Sequence, residues 1–141
     1  MTIKEALECL QQEQPIIVSG KTFEPHRIDE ALLETGETLS WVYGKDGVWL
    51  SIDPESEEIV LFEDLHEDLE AEDDVVVYGG EDYEFSYEAR VTILLEDGGT
   101  IINYKEYEGP RAVIRLMQDE TTSDVTCSYG IKLTEEELQA A

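Results

Sequence analysis

Ile16-Ile17-Val18-Ser19-Gly20-Lys21-Thr22-Phe23-Glu24 and, at a shift of 60, Val76-Val77-Tyr78-Gly79-Gly80-Glu81-Asp82-Tyr83-Glu84 are the stretches on which the fold turns. Each sets β-branched and aromatic residues on both sides of a Ser-Gly or Gly-Gly pair, the residues that a two-residue hairpin turn takes. At a shift of 62, Glu34-Thr35-Gly36-Glu37-Thr38 lies over Glu96-Asp97-Gly98-Gly99-Thr100. Working outward from these matches, each half reads strand, turn, strand, turn, strand in the same order. The candidate strands are 16–19, 22–34, 38–44, 48–53 and 58–63, then 75–79, 82–95, 100–107, 111–118 and 124–129. Gly44-Lys45-Asp46-Gly47, Asp53-Pro54, Asp97-Gly98-Gly99 and Gly109-Pro110 are the turns between them. The runs 22–34 and 82–95 are long and leave room for a bend or a bulge. The expected fold is one mostly β domain over 1–141. Two similar antiparallel meanders, 16–63 and 75–129, form a sandwich or close into a barrel. Internal duplication is one account of their likeness. Chance resemblance between alternating strands is the other, because few identities support the match.

The ends read differently. Thr2 followed by Glu5 fits a capping box, and Ile3, Leu7 and Leu10 recur at helical spacing before Pro15. This predicts a short amphipathic helix over 3–13, packed on the main body. Thr134-Glu135-Glu136-Glu137 is a second capping-box start and predicts a short C-terminal helix. Between the halves runs Glu63-Asp64-Leu65-His66-Glu67-Asp68-Leu69-Glu70-Ala71-Glu72-Asp73-Asp74. It reads as a solvated acidic linker; Leu61, Leu65 and Leu69 at intervals of four make a helical turn the alternative.

Charge is the outlying property. Thirty-five Asp and Glu against nine Lys and Arg leave a net charge of −26, while 41% hydrophobic residues suffice for a core. Repulsion disfavours direct binding to nucleic acid or to an anionic membrane. Basic protein partners, cations or simple solubility remain as uses for the acid. The opening Met1-to-Pro15 stretch is charged throughout, so no signal peptide is expected, and no run approaches the ~18 apolar residues of a membrane span. Cys9 and Cys127 form no CxxC pair, which points to the reducing cytoplasm.

No local signature of chemistry stands out. Carboxylates are so abundant that pairs of them carry no information about acid–base catalysis. Neither Asp53-Pro54-Glu55-Ser56-Glu57-Glu58 nor the 63–74 run has the spacing of a calcium loop. His26 and His66 have no second His or Cys at metal-ligand spacing and read as exposed residues. Cys9 and Cys127 read as small core or boundary residues. There is no GxSxG elbow and no GxxxxGK[ST] loop. The expectation is a protein that is not an enzyme, with no cofactor and no dedicated metal site. The aromatic residues carry more. Trp41, Tyr43 and Trp49 flank one hairpin, Tyr83, Phe85 and Tyr87 alternate along one face of a strand, and Tyr104 and Tyr107 follow. Such stripes are core packing or, if exposed together, a partner face. The candidate interaction surface is therefore Trp41, Tyr43 and Trp49 with Glu63, Asp64, Glu67, Asp68, Glu70, Glu72, Asp73 and Asp74.

Trp49-Leu50-Ser51 after a Gly turn, Tyr78-Gly79-Gly80-Glu81-Asp82-Tyr83-Glu84 leading into Ala89-Arg90-Val91, the strand Ile114-Arg115-Leu116 and the ending Ser128-Tyr129-Gly130-Ile131 carry a further signal. In these residues the chain, from about Ile16 to Leu138, resembles the bacterial and phage-borne Domain of Unknown Function, family 4178. The hairpin from Trp41 to Gly47 is shorter than that family's tryptophan-containing segment, and the N-terminal helix is additional. The resemblance implies a non-enzymatic, soluble accessory protein and supplies no catalytic residues. Taken together, the expectation is a cytoplasmic protein-interaction module whose acidic surface meets a basic or mixed partner. The alternatives are an acidic nucleic-acid mimic that inhibits a DNA-binding protein, and a binder of polyamines or divalent cations.

Overall fold

The expected strands form and pair antiparallel in two sheets, one of three strands and one of nine. A computed structural model describes residues 1–95 and 98–141; Glu96 and Asp97, part of an expected turn and of the second repeat match, lie outside the described residues. Helix α1 (Ile3–Gln11) is followed by β1 (Ile16–Val18), β2 (Lys21–Phe23), β3 (Arg27–Leu33), β4 (Thr38–Tyr43), β5 (Val48–Asp53) and β6 (Glu58–Leu65). Then come β7 (Val75–Tyr78), β8 (Glu81–Leu95), β9 (Gly98–Glu108), β10 (Val113–Asp119), β11 (Val125–Leu133) and β12 (Leu138–Ala140). Neighbours follow the order β3-β4-β5-β6-β11-β10-β9-β8, and β8 returns to β3 through Ala31↔Ile93, Leu32↔Thr92 and Leu33↔Val91. Eight strands thus close into a barrel, not a sandwich. Closure pairs the edges that two open meanders would leave free.

Trp41, Trp49, Phe62, Tyr104, Val91 and Val113 belong to the interior cluster. Two further layers cover the outside. Helix α1 and the small sheet β12-β1-β2 bring Ala6, Leu10, Ile16, Phe23 and Leu138 onto Val42, Leu50, Ile52 and Ile59. On the other half, the β7–β8 hairpin brings Val76 and Tyr83 onto Tyr107 and Ile114. Strands covered on both faces cannot alternate apolar and polar residues. Leu39 to Val42 and Trp49 to Ile52 are accordingly buried without a break. Each large apolar side chain buried in this way contributes roughly 1.5–3 kcal/mol.

Helix α1 carries the expected cap. Thr2 Oγ1 accepts from Glu5 N–H at 3.1 Å, and Glu5 Oε1 accepts from Thr2 N–H at 3.0 Å. The C-terminal segment does not become a helix. Thr134 N–H donates to Glu137 Oε1 at 3.1 Å, but only a single 3-10 turn, Glu135–Glu137, forms before β12 pairs with β1. A helical nucleus is costly for so few residues, whereas a strand buries Leu138 to 1% exposure.

The two long runs resolve in different ways. Glu24-Pro25-His26 separates β2 from β3, because proline has no N–H for the ladder. Strand β8 continues through a bulge between Phe85 and Tyr87. Before the bulge β8 pairs with β7 on its outer edge; after it, β8 pairs with β3. The extra residue also splits the expected aromatic face. Phe85 sits edge-on to Tyr107 in the outer layer, while Tyr87 turns onto Tyr104 of the interior cluster.

Candidate functional site

The acidic segment is held to the barrel. Strand β6 extends to Leu65, and residues 66–71 contain no helix. Leu65 and Leu69 pack against the outer cluster of Tyr107 and Ile114, and Leu69 N–H points to Cys127 Sγ at 3.4 Å. A Glu72↔Val75 bridge closes the segment. Eight of the twelve residues from Glu63 to Asp74 are acidic. Glu63, Glu67, Asp68, Glu70, Glu72, Asp73 and Asp74 are exposed on this positioned strap. Asp64 is the exception: its Oδ1 accepts from Trp49 Nε1 at 3.0 Å and from Ser128 Oγ at 2.8 Å.

The aromatic part of the expected surface lies elsewhere. Trp41 and Trp49 are each 1% exposed and belong to the barrel interior, so they cannot form an exposed patch with the acids. Their indoles meet edge-on at 5.6 Å, and Trp49 stacks on Phe62 at 4.5 Å. Tyr43 is partly buried against Trp49, with the Arg27 guanidinium 4.4 Å from its ring centroid. The size that made these residues conspicuous is what places them inside a barrel that must be filled. Cys127 is buried, Cys9 is at the boundary of the helix layer, and His26 and His66 are exposed.

Beside the strap, a cleft of about 820 Å³ runs between Leu69-Glu70-Ala71 and strands β8–β10. Half-buried Leu116 and exposed Val125 are among its apolar residues, and Glu34, Glu70 and Glu88 stand among its polar ones. Arg90, at the same cleft, is engaged by Glu120 at 3.0 Å, with Asn103 donating to that carboxylate at 2.7 Å. Those contacts hold the Glu120 carboxyl below its usual pKa.

A second polar group lies inside the barrel and was not singled out from the sequence as a site. Arg115, 2% exposed, pairs with Glu106, 3% exposed, at 2.8 Å from Nη2 to Oε1. The two are directly opposite across β9 and β10, and the row continues to Tyr87 on one side and to Ser128 and Asp64 on the other. Tyr104 and Phe62 hold the guanidinium between their rings, 4.3 and 4.5 Å from its carbon. Burial opposes its charge, but Tyr104, Tyr87 and Glu106 outweigh that and keep its pKa above the ordinary value. Although Tyr87 is 39% exposed, its hydroxyl reaches Arg115 Nη2 at 3.4 Å, and burial pushes its pKa well up. The signal in the sequence was a lone basic residue in Val113-Ile114-Arg115-Leu116-Met117, with two acids, Glu106 and Glu108, available in β9. Only the register makes Glu106 the partner.

Among the described residues, no three His, Cys, Asp or Glu side chains converge to hold a metal ion. No described helix is long and apolar enough to cross a membrane. Compared with protein-family models, curated proteins and solved structures, the chain matches none.

Proposed function

We propose that the protein is a non-enzymatic cytoplasmic accessory module that holds a basic segment of another protein on its acidic exterior, against the strap 66–74 and the cleft beside it. The strap supports this reading: Leu65 and Leu69 place its carboxylates, from Glu67 to Asp74, beside a cleft lined by both apolar and polar residues. Such an arrangement steers a cationic partner and offers an apolar anchor once it arrives. Sharing 26 net charges over 8469 Å² leaves about 330 Å² for each, against about 100 Å² per phosphate on a DNA rod. That density weighs against mimicry of nucleic acid. The resemblance to family 4178 belongs to the same proposal.

The test is affinity capture from host lysate with the wild-type chain and with a variant carrying Glu67→Gln, Asp68→Asn, Glu70→Gln, Glu72→Gln, Asp73→Asn and Asp74→Asn. The expected result is one stoichiometric protein bearing a basic segment, retained by the wild type and lost by the variant. Equal retention by both, or none by either, refutes the reading.

We also infer that the two halves descend from one duplicated meander. Ser19-Gly20 and Gly79-Gly80 both turn with positive φ at each residue. Phe23 and Tyr83, equivalent at a shift of 60, each cover a glycine after the fourth or ninth strand. A Cβ on Gly44 would come within 2.8 Å of Phe23, and one on Gly109 within 2.5 Å of Tyr83. Grafting 76–83 in place of 16–23 checks the equivalence: a folded barrel is expected, and an unfolded chain counts against it.

A further inference from the structure

One leucine and one thiol hold the middle of the acidic strap to the barrel. From His66 to Ala71, the only hydrogen bonds among the described residues join Leu69 to Cys127. The Leu69 N–H donates to Sγ at 3.4 Å, and the thiol reaches Leu69 O at 4.0 Å. Sulfur is a weak donor and a weak acceptor, so these contacts add little to the half-buried Leu69 side chain. No ion pair among the described residues involves the strap. Its two ends, in contrast, are fixed by backbone pairing. Leu65 lies opposite Cys127 across β6 and β11, and Glu72 and Val75 exchange hydrogen bonds of 2.9 and 3.0 Å around Asp73-Asp74.

The strap is also what buries Cys127. Val125, Cys127 and Tyr129 share the outer face of β11, yet Val125 is 56% exposed and Tyr129 half-buried, while Cys127 is 3% exposed. Charge works against this cover. Six of the eight residues from Glu67 to Asp74 are acidic, and the closed strap sets Glu70 in one cleft with Glu34 and Glu88 of the barrel. The cations of that cleft are already committed, Arg90 to Glu120 and Lys105 directly across from Glu88. Eight residues extend less than about 30 Å. At 0.01 M salt the Debye length is about 30 Å, so carboxylates along the whole strap repel one another; at 1 M it is about 3 Å, and they do not.

We propose that residues 66–71 are a lid on this face of the barrel, latched by Leu69 and the Cys127 thiol, which the strap's own charge opens and cations close. Opening uncovers Cys127 beside the apolar cluster of Tyr107 and Ile114. Cations favour the closed form because it brings the carboxylates of strap and barrel together, and a ligand shifts an equilibrium toward the state it prefers. The device is independent of the partner proposed above.

Alkylation of Cys127 by iodoacetamide, an uncharged reagent, tests it in the Cys9→Ser protein at one fixed pH. The rate, read by mass spectrometry, should be at least tenfold higher at 0.01 M than at 1 M sodium chloride. Salt by itself eases thiolate formation beside anions, so a slower reaction at high salt reports closure. Hydrogen exchange of the Trp49 and Leu50 amides in the same buffers measures global opening, and Cys127 should react at least tenfold faster than that opening allows. Glu67→Gln with Asp68→Asn and Glu70→Gln should bring the low-salt rate down to the high-salt one. Glu55→Gln with Glu57→Gln and Glu136→Gln, the same charge removed at the far end of β6 and β11, should change it less than twofold. Equal rates in the two salts, a rate no faster than global opening, or equal slowing by the two triple variants overturns the proposal.

Discussion

Arg115 and Glu106 show how much a single residue's partner matters. Removing one member of a buried ion pair strands the other, at a cost of about 3–5 kcal/mol. Arg115→Met alone should therefore lower the urea midpoint strongly, whereas Arg115→Met with Glu106→Leu should recover most of the loss. Equal losses in the single and paired variants would mean that the two do not act as a pair. Close approach governs Gly130, where an added Cβ would lie 2.5 Å from the Phe62 ring. Gly130→Ala should cost about 1–3 kcal/mol by overpacking, and Phe62→Leu in the same chain should return part of it. The tyrosines give a pH prediction. Burial is the first cause of the raised pKa values of Tyr43, Tyr83, Tyr87, Tyr104 and Tyr107. Their neutral forms favour the fold, so the stabilisation is intact below the unfolded value near ~10 and is lost as pH rises above it. Absorbance in the near ultraviolet should show delayed phenolate formation that coincides with unfolding; ordinary titration of all five groups in a folded chain would contradict this.

At the scale of elements, the acidic strap is an ordered segment through Leu69 alone in its middle. Leu69→Ala should cost about 1–2 kcal/mol, since the side chain is only partly buried, and should expose residues 66–74 to proteolysis well before the barrel melts. Unchanged cleavage would show that the strap is held by something else. The sequence carried the strands and hairpins well, because alternation and turn residues are local. It left room for a bulge in 82–95 but could not place it at Ser86, because that depends on β8 changing partners from β7 to β3. It also misled at Thr134, whose cap is genuine but whose following residues are needed as a strand against β1.

For the whole molecule, self-repulsion is the governing term. With a net charge of −26, stability should rise with added salt, since the Debye length falls from about 30 Å at 0.01 M to about 10 Å at 0.1 M. A melting temperature several degrees higher at the greater ionic strength is expected by calorimetry; no change would mean that the surface charges are already balanced locally.

Composition, periodicity and turn chemistry by themselves determined the β class, the capped first helix, the strand order along the chain and the acidic excess. Each of these is decided by residues within a few positions of one another. Tertiary structure alone decided that two meanders close into one barrel, that Trp41 and Trp49 fill it, and that Arg115 meets Glu106 within it. Those outcomes depend on pairings between strands far apart in the chain, such as Leu33 with Val91 and Cys127 with Leu65, which no local pattern encodes. A shift of one residue in such a register turns every side chain to the opposite face, so inside and outside are settled only when the barrel closes.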